Sequence, residues 1–214
     1  MKPAHRSQRG FTLLEVLISL LILLIGLLGI AVLMLKGQRA SFEGYQRQQA
    51  LAMAQEMAEK IRANQGWAAS YVTGTTDGSG MPGLGKLLAS INDCSGGCDG
   101  PGIAQNDLAR WDGVLAGASE SKDAAAATCV DTPLKKECVG GIIGARGCIE
   151  WPDGNLVQPV FWVSVAWQGE GDTVAPAATA SACGTGLYGT DARRRLVTLR
   201  VGTCPLNAAG GCAP

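Results

Sequence analysis

A short segment near the amino terminus carries the residue types with the clearest chemistry. Gly10 and Phe11 are followed, at the fifth position after the glycine, by Glu15 within an apolar run. A carboxylate at bilayer depth costs on the order of 2.5 kcal/mol or more unless it is paired. Cleavage after Gly10 would create a positive amino terminus on Phe11, which a Glu15 carboxylate of the same or a neighbouring chain would neutralise as helices pack. The alternative is that Glu15 lies at the headgroup level, where this cost falls away.

The rest of the composition excludes most catalytic chemistry. The only histidine, His5, lies within the first ten residues, so a chain cut after Gly10 has no imidazole for nucleophile activation or for a histidine-bound zinc ion. Metal-spaced carboxylates and CxxC motifs do not occur in the sequence. Lys plus Arg and Asp plus Glu number 18 each, which gives no general basic excess for nucleic-acid binding. We therefore expect a protein that is not an enzyme and that holds no cofactor and no metal.

Eight cysteines lie after residue 90, in the Gly-rich part of the chain. An even number of cysteines in an exported segment is typical of a disulfide framework in an oxidising compartment. The alternative, a four-cysteine zinc site, needs close CxxC pairs, whereas the tightest spacing is Cys94-x3-Cys98. Sequence proximity favours the pairs Cys94 with Cys98 and Cys204 with Cys212, and the connectivity otherwise stays open. The disulfide candidates are Cys94, Cys98, Cys129, Cys138, Cys148, Cys183, Cys204 and Cys212.

The apolar run over residues 16–35 contains 20 residues, and its only polar side chain is that of Ser19. At about 1.5 Å per helical residue it spans roughly 30 Å, the hydrocarbon thickness of a bilayer. An ordinary secretory signal has a shorter apolar core and an A-x-A site after it, and neither is present. The segment before the apolar run is more basic than the segment after it, which predicts a cytoplasmic amino terminus and an exported carboxyl-terminal part. The basic residues are Lys2, Arg6 and Arg9 before the run and Lys36 and Arg39 after it.

The string GFTLLEVLISLLILLIGLLG, which begins at Gly10, resembles the class III signal and first helix of type IV pilins and pseudopilins. The resemblance implies that a prepilin peptidase cleaves after Gly10 and methylates the new amine of Phe11. It also implies that Glu15 is the assembly carboxylate. One departure concerns the helix, because many major pilins carry a proline where this chain has Val32. Bending or melting of the helix on assembly therefore stays open.

A second helical segment follows the apolar run. Residues 36–65 are rich in Ala, Gln, Glu, Lys and Met, which are good helix formers, and residues 64–66 indicate the end of the helix. The apolar residues recur on one side, which predicts a face packed on a sheet: Ala50, Met53, Ala54, Met57, Ala58 and Ile61. We divide the chain into a cleaved leader at 1–10, a transmembrane and assembly half of the helix at 11–35, an amphipathic half at 36–65 and a head domain at 66–214.

The head domain is expected to begin with a long irregular connection over residues 66–137, where Gly, Ser, Ala, Asp and Pro dominate. Two short helices are predicted within it, at 84–91 and 105–116. Three strands are predicted from alternating residues, at 147–151, 160–167 and 195–203. In the second strand, Phe161, Val163 and Val165 face one side. The predicted fold class is α+β and pilin-like, with a long amino-terminal helix packed on a small antiparallel β-sheet and disulfide-stapled loops.

Two motifs lie between the last two predicted strands. The string CGTGLYG begins at Cys183, and its glycines resemble a phosphate cradle, but no Walker lysine follows and the strand-to-helix context is missing. A disulfide-pinned turn is therefore predicted. Arg193, Arg194 and Arg195 are interpreted as a solvated strand edge that discourages edge-to-edge pairing. The alternative interpretation of this basic cluster is a contact with DNA, phospholipid or a host surface.

The strand WVSVAWQG, the loop CGTGLYG and the last strand RLVTLRV are similar to those of a minor pilin. This resemblance covers residues 139–203 loosely and implies a non-catalytic subunit that initiates or caps a type IV pilus, with effects on adhesion and twitching motility. The implied partners are other minor pilins, the major pilin, the prepilin peptidase and the inner membrane. The implied location is the inner membrane, with the head in the periplasm, and then the pilus. The alternatives are a minor pseudopilin of a type II secretion system and a plain membrane-anchored binding domain.

The substitution Gly10→Glu tests the predicted cleavage position. We expect uncleaved precursor to accumulate in the membrane, because the small residue before the scissile bond is replaced by a large charged one. Immunoblotting of membrane fractions with amino-terminal sequencing measures the ratio of precursor to mature chain. Gly37→Glu, the same change beyond the apolar run, is the control and should be processed normally. Normal maturation of the Gly10→Glu chain would overturn the cleavage assignment.

Overall fold

The computed structural model describes residues 10, 12–76, 80–85, 87, 91, 94, 96–120, 138, 140–207 and 211–213. The chain divides into two compact units, Met1–Phe42 and Glu43–Pro214. One helix, α1, spans Leu13–Ala63, so it belongs to the first unit up to Phe42 and to the second unit from Glu43 onward. We call the second unit the head unit.

Within the head unit, α1 buries one stripe of side chains. The buried residues are Gln46, Ala50, Met53, Ala54, Met57, Ala58 and Ile61. They recur every three or four positions, which places them on one face of the helix. The predicted apolar stripe is therefore confirmed. The helix ends at Ala63 and a 3-10 helix, Gln65–Tyr71, follows, in agreement with the predicted end of the helix.

Three strands form one antiparallel sheet in the order β1-β2-β3. The strands are Arg146–Glu150 (β1), Val160–Gln168 (β2) and Arg194–Gly202 (β3). In this register, Val163 of β2 lies opposite Ile149 of β1 and opposite Leu199 of β3. Each strand begins and ends within one residue of its predicted position. The predicted α+β class, with a long helix, a small antiparallel sheet and disulfide bonds, is confirmed.

The two faces of the sheet are covered by different parts of the head unit. Phe161, Val163 and Val165 are fully buried and belong to the same core cluster as Met57 and Ile61 of α1. A smaller apolar cluster lies on the opposite face and consists of Met81, Cys148, Ala166, Cys183 and Tyr188. Because both faces are covered, β2 is buried over most of its length instead of at alternate positions. The predicted orientation of the three core-facing residues is confirmed.

A second helix, α2, spans Gly100–Ala116, whereas the sequence predicts a helix only over 105–116. Asp99 caps its start, because the carboxylate accepts a hydrogen bond from the Gly102 N–H at 2.9 Å. Pro101 lies in the first turn, where the backbone N–H that proline lacks would have no acceptor within the helix. Gly117 ends the helix with a left-handed φ of 82°. The helix therefore begins five residues before the predicted start.

The prediction of an irregular connection over 66–137 is wrong for part of that segment. It contains most of the 3-10 helix Gln65–Tyr71 and all of α2. Some of the Gly and Pro residues that indicate a loop in the composition, including Pro101 and Gly117, lie at the ends of α2, where they act as helix signals. Four of the eight residues of the helix predicted at 84–91 lie outside the described residues, as do all of residues 121–137.

One buried carboxylate on α2 holds a neighbouring loop. Asp112 is fully buried, and four backbone N–H groups donate to it. Oδ1 accepts from Gly83 at 2.5 Å, Leu84 at 2.9 Å and Gly85 at 3.0 Å, and Oδ2 accepts from Leu87 at 2.7 Å. A buried charge is tolerated when hydrogen bonds replace its lost hydration. Asp112 therefore fixes the backbone of these four residues beside α2.

The substitution Asp112→Asn should lower the free energy of unfolding by about 3 kcal/mol. The new amide would point a donor at the Leu87 N–H, and the charge that attracts the other three donors would be lost. Urea denaturation of the detergent-solubilised full chain, followed by tryptophan fluorescence, measures this difference. Asp153→Asn makes the same chemical change at an exposed position and should shift stability by less than about 0.5 kcal/mol. Equal losses in the two variants would contradict the assigned role of Asp112.

Candidate functional site

The start of α1 lies within the segment that carries the predicted cleavage site. Thr12 directly precedes the first helical residue, Leu13, and its Oγ1 accepts a hydrogen bond from the Glu15 N–H at 3.2 Å. This bond satisfies one of the amide donors that have no partner within the helix. The prediction from sequence did not include Thr12, although the spacing Thr12-x-x-Glu15 is a recognisable capping-box pattern. Thr12 therefore determines where the helix begins relative to Gly10.

The predicted assembly carboxylate, Glu15, lies in the first turn of α1, and its side chain is exposed. A negative charge in the first turn interacts favourably with the positive end of the helix dipole, by about 0.3–1 kcal/mol. The backbone carbonyl of Glu15 accepts a hydrogen bond from the Ser19 hydroxyl at 2.5 Å, so the single polar side chain of the apolar run bonds within the helix. Gly10 is exposed, and Phe11 lies outside the described residues.

The apolar half of α1 presents its side chains outward on every side. All residues from Leu13 to Leu35 are exposed, including Leu13 at 91% and Leu28 at 71%. Among the residues that the structure describes, α1 is the one helix long and apolar enough to cross a membrane. Soluble monomers rarely expose a contiguous apolar surface of this size. The segment therefore requires a lipid or protein environment.

A family model described as the prokaryotic N-terminal methylation motif matches residues 5–31. The matched segment contains Gly10, Thr12 and Glu15 and continues into the exposed apolar half of α1. The chain carries a type IV prepilin-like signal. This signal supports a type IV pilin or pseudopilin that is a substrate of prepilin peptidase, is anchored in a membrane and enters pilus assembly. No curated protein and no solved structure matches the chain.

The cysteines of the head unit are joined by disulfide bonds. The described pairs are Cys94–Cys98, Cys148–Cys183 and Cys204–Cys212, which include the two local pairs that sequence separation favours. Cys138 is also disulfide-bonded, and Cys129 lies outside the described residues. The alternative of a four-cysteine zinc site is therefore wrong for the described cysteines. In the described ranges, no group of three or more His, Cys, Asp or Glu side chains is arranged to hold a metal ion.

The disulfide Cys148–Cys183 joins β1 to the glycine-rich loop that follows residue 182. Both cysteines are fully buried, and the disulfide-pinned turn predicted for CGTGLYG is confirmed. Gly184 adopts a left-handed φ of 70°, and a Cβ on it would lie 2.9 Å from the Ala166 Cβ, so the turn requires glycine there. The Tyr188 hydroxyl donates to the carbonyl oxygen of Gly144 at 2.9 Å. The loop is thus fixed against the second face of the sheet.

The interpretation of residues 193–195 as a solvated strand edge is wrong for two of the three arginines. Arg194 is only 5% exposed, and its guanidinium forms a two-pronged pair with the Asp191 carboxylate, with both N–O distances at 2.8 Å. Its Nη1 donates to the carbonyl oxygens of Ser181 at 3.0 Å and Cys183 at 3.1 Å. The Arg194 guanidinium beside Asp191 holds the pKa of that carboxyl below its usual range. Arg194 therefore ties the Cys183 loop to β3.

The other two arginines of the cluster differ in exposure. The Arg195 side chain is 15% exposed and pairs with Glu43 of α1 at 3.1 Å. The Arg193 side chain is 47% exposed and pairs with Asp172 at 2.9 Å. The sequence pattern alone does not predict which of the three arginines is buried. Alternation along a strand indicates which face a side chain occupies, but it does not indicate what covers that face. Only Arg193 of the three is thus well exposed for an external contact.

A buried polar group joins α1, the 3-10 helix and α2. The Tyr71 hydroxyl donates to Asp107 Oδ2 at 2.8 Å and accepts from Asn64 Nδ2 at 3.3 Å. Lys60 Nζ lies 3.2 Å from Asp107 Oδ1. Burial raises the pKa of Tyr71 well above its usual range, so the phenol stays protonated and serves as a hydrogen-bond donor. This geometry is structural, in keeping with a motif that is typical of non-catalytic subunits.

The substitution Arg194→Lys should lower the free energy of unfolding by about 2 kcal/mol. A single ammonium group cannot keep both the paired carboxylate contact and the two carbonyl contacts of the guanidinium. Chemical denaturation of the full chain at pH 7 measures the loss. Arg193→Lys is the matched control, because it changes the neighbouring, exposed arginine, and it should leave stability unchanged within about 0.5 kcal/mol.

The pH dependence checks the same interaction. Because the folded-state pKa of Asp191 is lowered, its pairing stabilises the head unit above the unfolded pKa and is lost as the pH falls through the folded pKa. The difference in free energy of unfolding between the wild type and the Arg194→Lys chain should therefore shrink as the pH falls. A difference that stays constant down to about pH 2 would contradict a contribution from the ionised carboxyl.

Proposed function

We propose that this chain is a minor type IV pilin, a non-catalytic subunit that initiates or caps a type IV pilus. In this function, prepilin peptidase cuts between Gly10 and Phe11 and methylates the new amine of Phe11. Glu15 then pairs with such an amine as the helices pack in the filament. The observation that carries the proposal is a methylation motif over residues 5–31 that extends into a helix with an exposed apolar surface.

The geometry of the helix start supports the role of Glu15. Thr12 caps α1 so that the Glu15 carboxylate lies in the first turn and is exposed, where the amine of a neighbouring chain can reach it. A carboxylate and an amine that are both removed from water interact strongly when paired and are costly when left alone. Pairing would therefore favour a side-by-side arrangement of helices in one register.

The charge pattern and the cysteines support the proposed location. The basic residues before Gly10 exceed those just after the apolar run, which favours a cytoplasmic amino terminus and an exported head unit. Disulfide bonds form and persist in an oxidising compartment, and the described disulfides all lie in the head unit. The subunit would first reside in the inner membrane with its head in the periplasm and then in the pilus, together with the major pilin and other minor pilins.

Among minor pilins, the resemblance is to the type IV pilus modification protein PilV. It rests on three strings, which in this chain form β2, the disulfide-pinned turn after Cys183 and β3. A minor pseudopilin of a type II secretion system would share the amino-terminal signal. The disulfide bonds of the head favour the pilus, because a surface filament meets shear and proteases that a periplasmic one does not.

The substitution Glu15→Val should leave cleavage after Gly10 intact but reduce recovery of the mature chain in sheared filaments roughly tenfold, because an unpaired amine is costly in a low-dielectric bundle. Quantitative mass spectrometry of sheared filaments, normalised to the membrane pool, measures recovery. Glu56→Val removes an exposed carboxylate of α1 within the head unit and is the matched control.

Two outcomes would count against the proposal in different ways. Unchanged filament recovery of the Glu15→Val chain would contradict the pairing role of Glu15. Absence of the wild-type mature chain from sheared pili, with normal cleavage in the membrane, would contradict a pilus subunit and favour the pseudopilin.

A further inference from the structure

The first two turns of α1 in the head unit lack the apolar burial that fixes the rest of the helix. Between Glu43 and Gln49 the one buried residue is Gln46, and Tyr45 is 62% exposed. The apolar stripe begins only at Ala50. Apolar burial is the main stabilising contribution to the docking of a helix on its neighbours. Apart from the burial of Gln46, residues 43–49 therefore depend on a polar interaction to dock on the head.

An ionic clasp lies at this position. Glu43 Oε1 accepts from Arg195 Nη2 at 3.1 Å and from the Glu170 N–H at 3.3 Å. The two side chains are partly buried, at 36% exposure for Glu43 and 15% for Arg195. The clasp joins α1 to β3 and to the segment that follows β2. These residues lie 127 and 152 positions from Glu43 in sequence, so the clasp is a tertiary contact.

The Arg195 guanidinium is held in place by the head independently of Glu43. Its Nη1 donates to the Ala192 carbonyl at 3.0 Å, and its Nη2 donates to the Gly171 carbonyl at 2.8 Å. A Cβ on Gly169 would lie 2.4 Å from Arg195 Cζ, so the backbone of this segment packs directly on the guanidinium. The cation is thus positioned by the loop and β3, and Glu43 is the only contribution of α1 to the clasp among the contacts described for Arg195.

We propose that the Glu43–Arg195 clasp is a polar latch that sets where α1 leaves the head unit. With the latch closed, α1 is docked from Glu43 onward. With the latch open, docking begins near Ala50, and residues 43–49 exchange between docked and undocked conformations while the core stays intact. The latch is a conformational device of the head unit alone, so it does not depend on the proposed function as a pilin. Because the latch is ionic and partly exposed, salt opens it, whereas salt leaves apolar packing in place.

Hydrogen–deuterium exchange of the full chain in detergent micelles tests the latch. Glu43→Gln should raise the exchange rates of the amides in residues 43–49 about tenfold, because a charge-assisted hydrogen bond is lost, and should leave residues 53–61 unchanged. In the wild type, raising NaCl from about 0.05 M to about 1 M should raise exchange in the same segment at least about twofold. The Glu43→Gln chain should not respond to salt there.

Arg193→Gln is the matched control, because it removes the adjacent ion pair with Asp172, which has no contribution from α1. It should leave exchange in residues 43–49 unchanged. Unchanged exchange in residues 43–49 of the Glu43→Gln chain would overturn the latch. An equal increase in residues 53–61 would also overturn it, because the variant would then weaken the whole head and not one end of the helix.

Discussion

The packing of one stripe of α1 on the three-stranded sheet is the interaction on which the head unit depends. Ala50, Ala54 and Ala58 allow close approach, while Met57 and Ile61 fill the core beside the inward face of β2. The second helix joins the same core, and Trp111 donates from its indole nitrogen to the Met53 carbonyl of α1 at 3.1 Å. Both helices and the sheet therefore share one apolar interior, and the loops are arranged around it.

Those loops are fixed by charged side chains that bind backbone groups. Asp112 accepts from backbone N–H groups of residues 83–85 and of Leu87. Arg194 donates to the carbonyls of Ser181 and Cys183, and Arg195 donates to those of Gly171 and Ala192. A glycine-rich loop that is neither helix nor strand must find other partners for its buried amides and carbonyls. In this chain, side chains from regular elements supply them. The structured elements thus determine the conformation of the irregular segments.

The sequence predicts the regular elements well because residue spacing indicates which face of an element meets the core. The three-or-four-residue recurrence in α1 and the side shared by Phe161, Val163 and Val165 in β2 are both confirmed, although β2 is also buried on its other face. The start of α2 was harder to predict, since Asp99 and Pro101 lie in a Gly-rich stretch that also fits a loop. The burial of Arg194 depends on residues 181–183 folding over the sheet, and no local pattern encodes that contact. At the amino terminus, Gly10 and Glu15 are recognisable by motif, whereas the sequence signal for Thr12 is the weaker capping-box spacing Thr12-x-x-Glu15.

The disulfide bonds have a mechanical consequence. Helix α1 contains no cysteine, so the three described disulfides cross-link only the part of the chain that follows it. A pulling force applied along α1 is therefore resisted by the non-covalent contact between helix and sheet and by the main chain itself. The rate at which that contact breaks under force is set by the barrier to unfolding. If that contact yields, the loops closed by Cys148–Cys183 and Cys204–Cys212 cannot lengthen. The head therefore combines a helix–sheet contact that can break under force with disulfide-closed loops of fixed contour length.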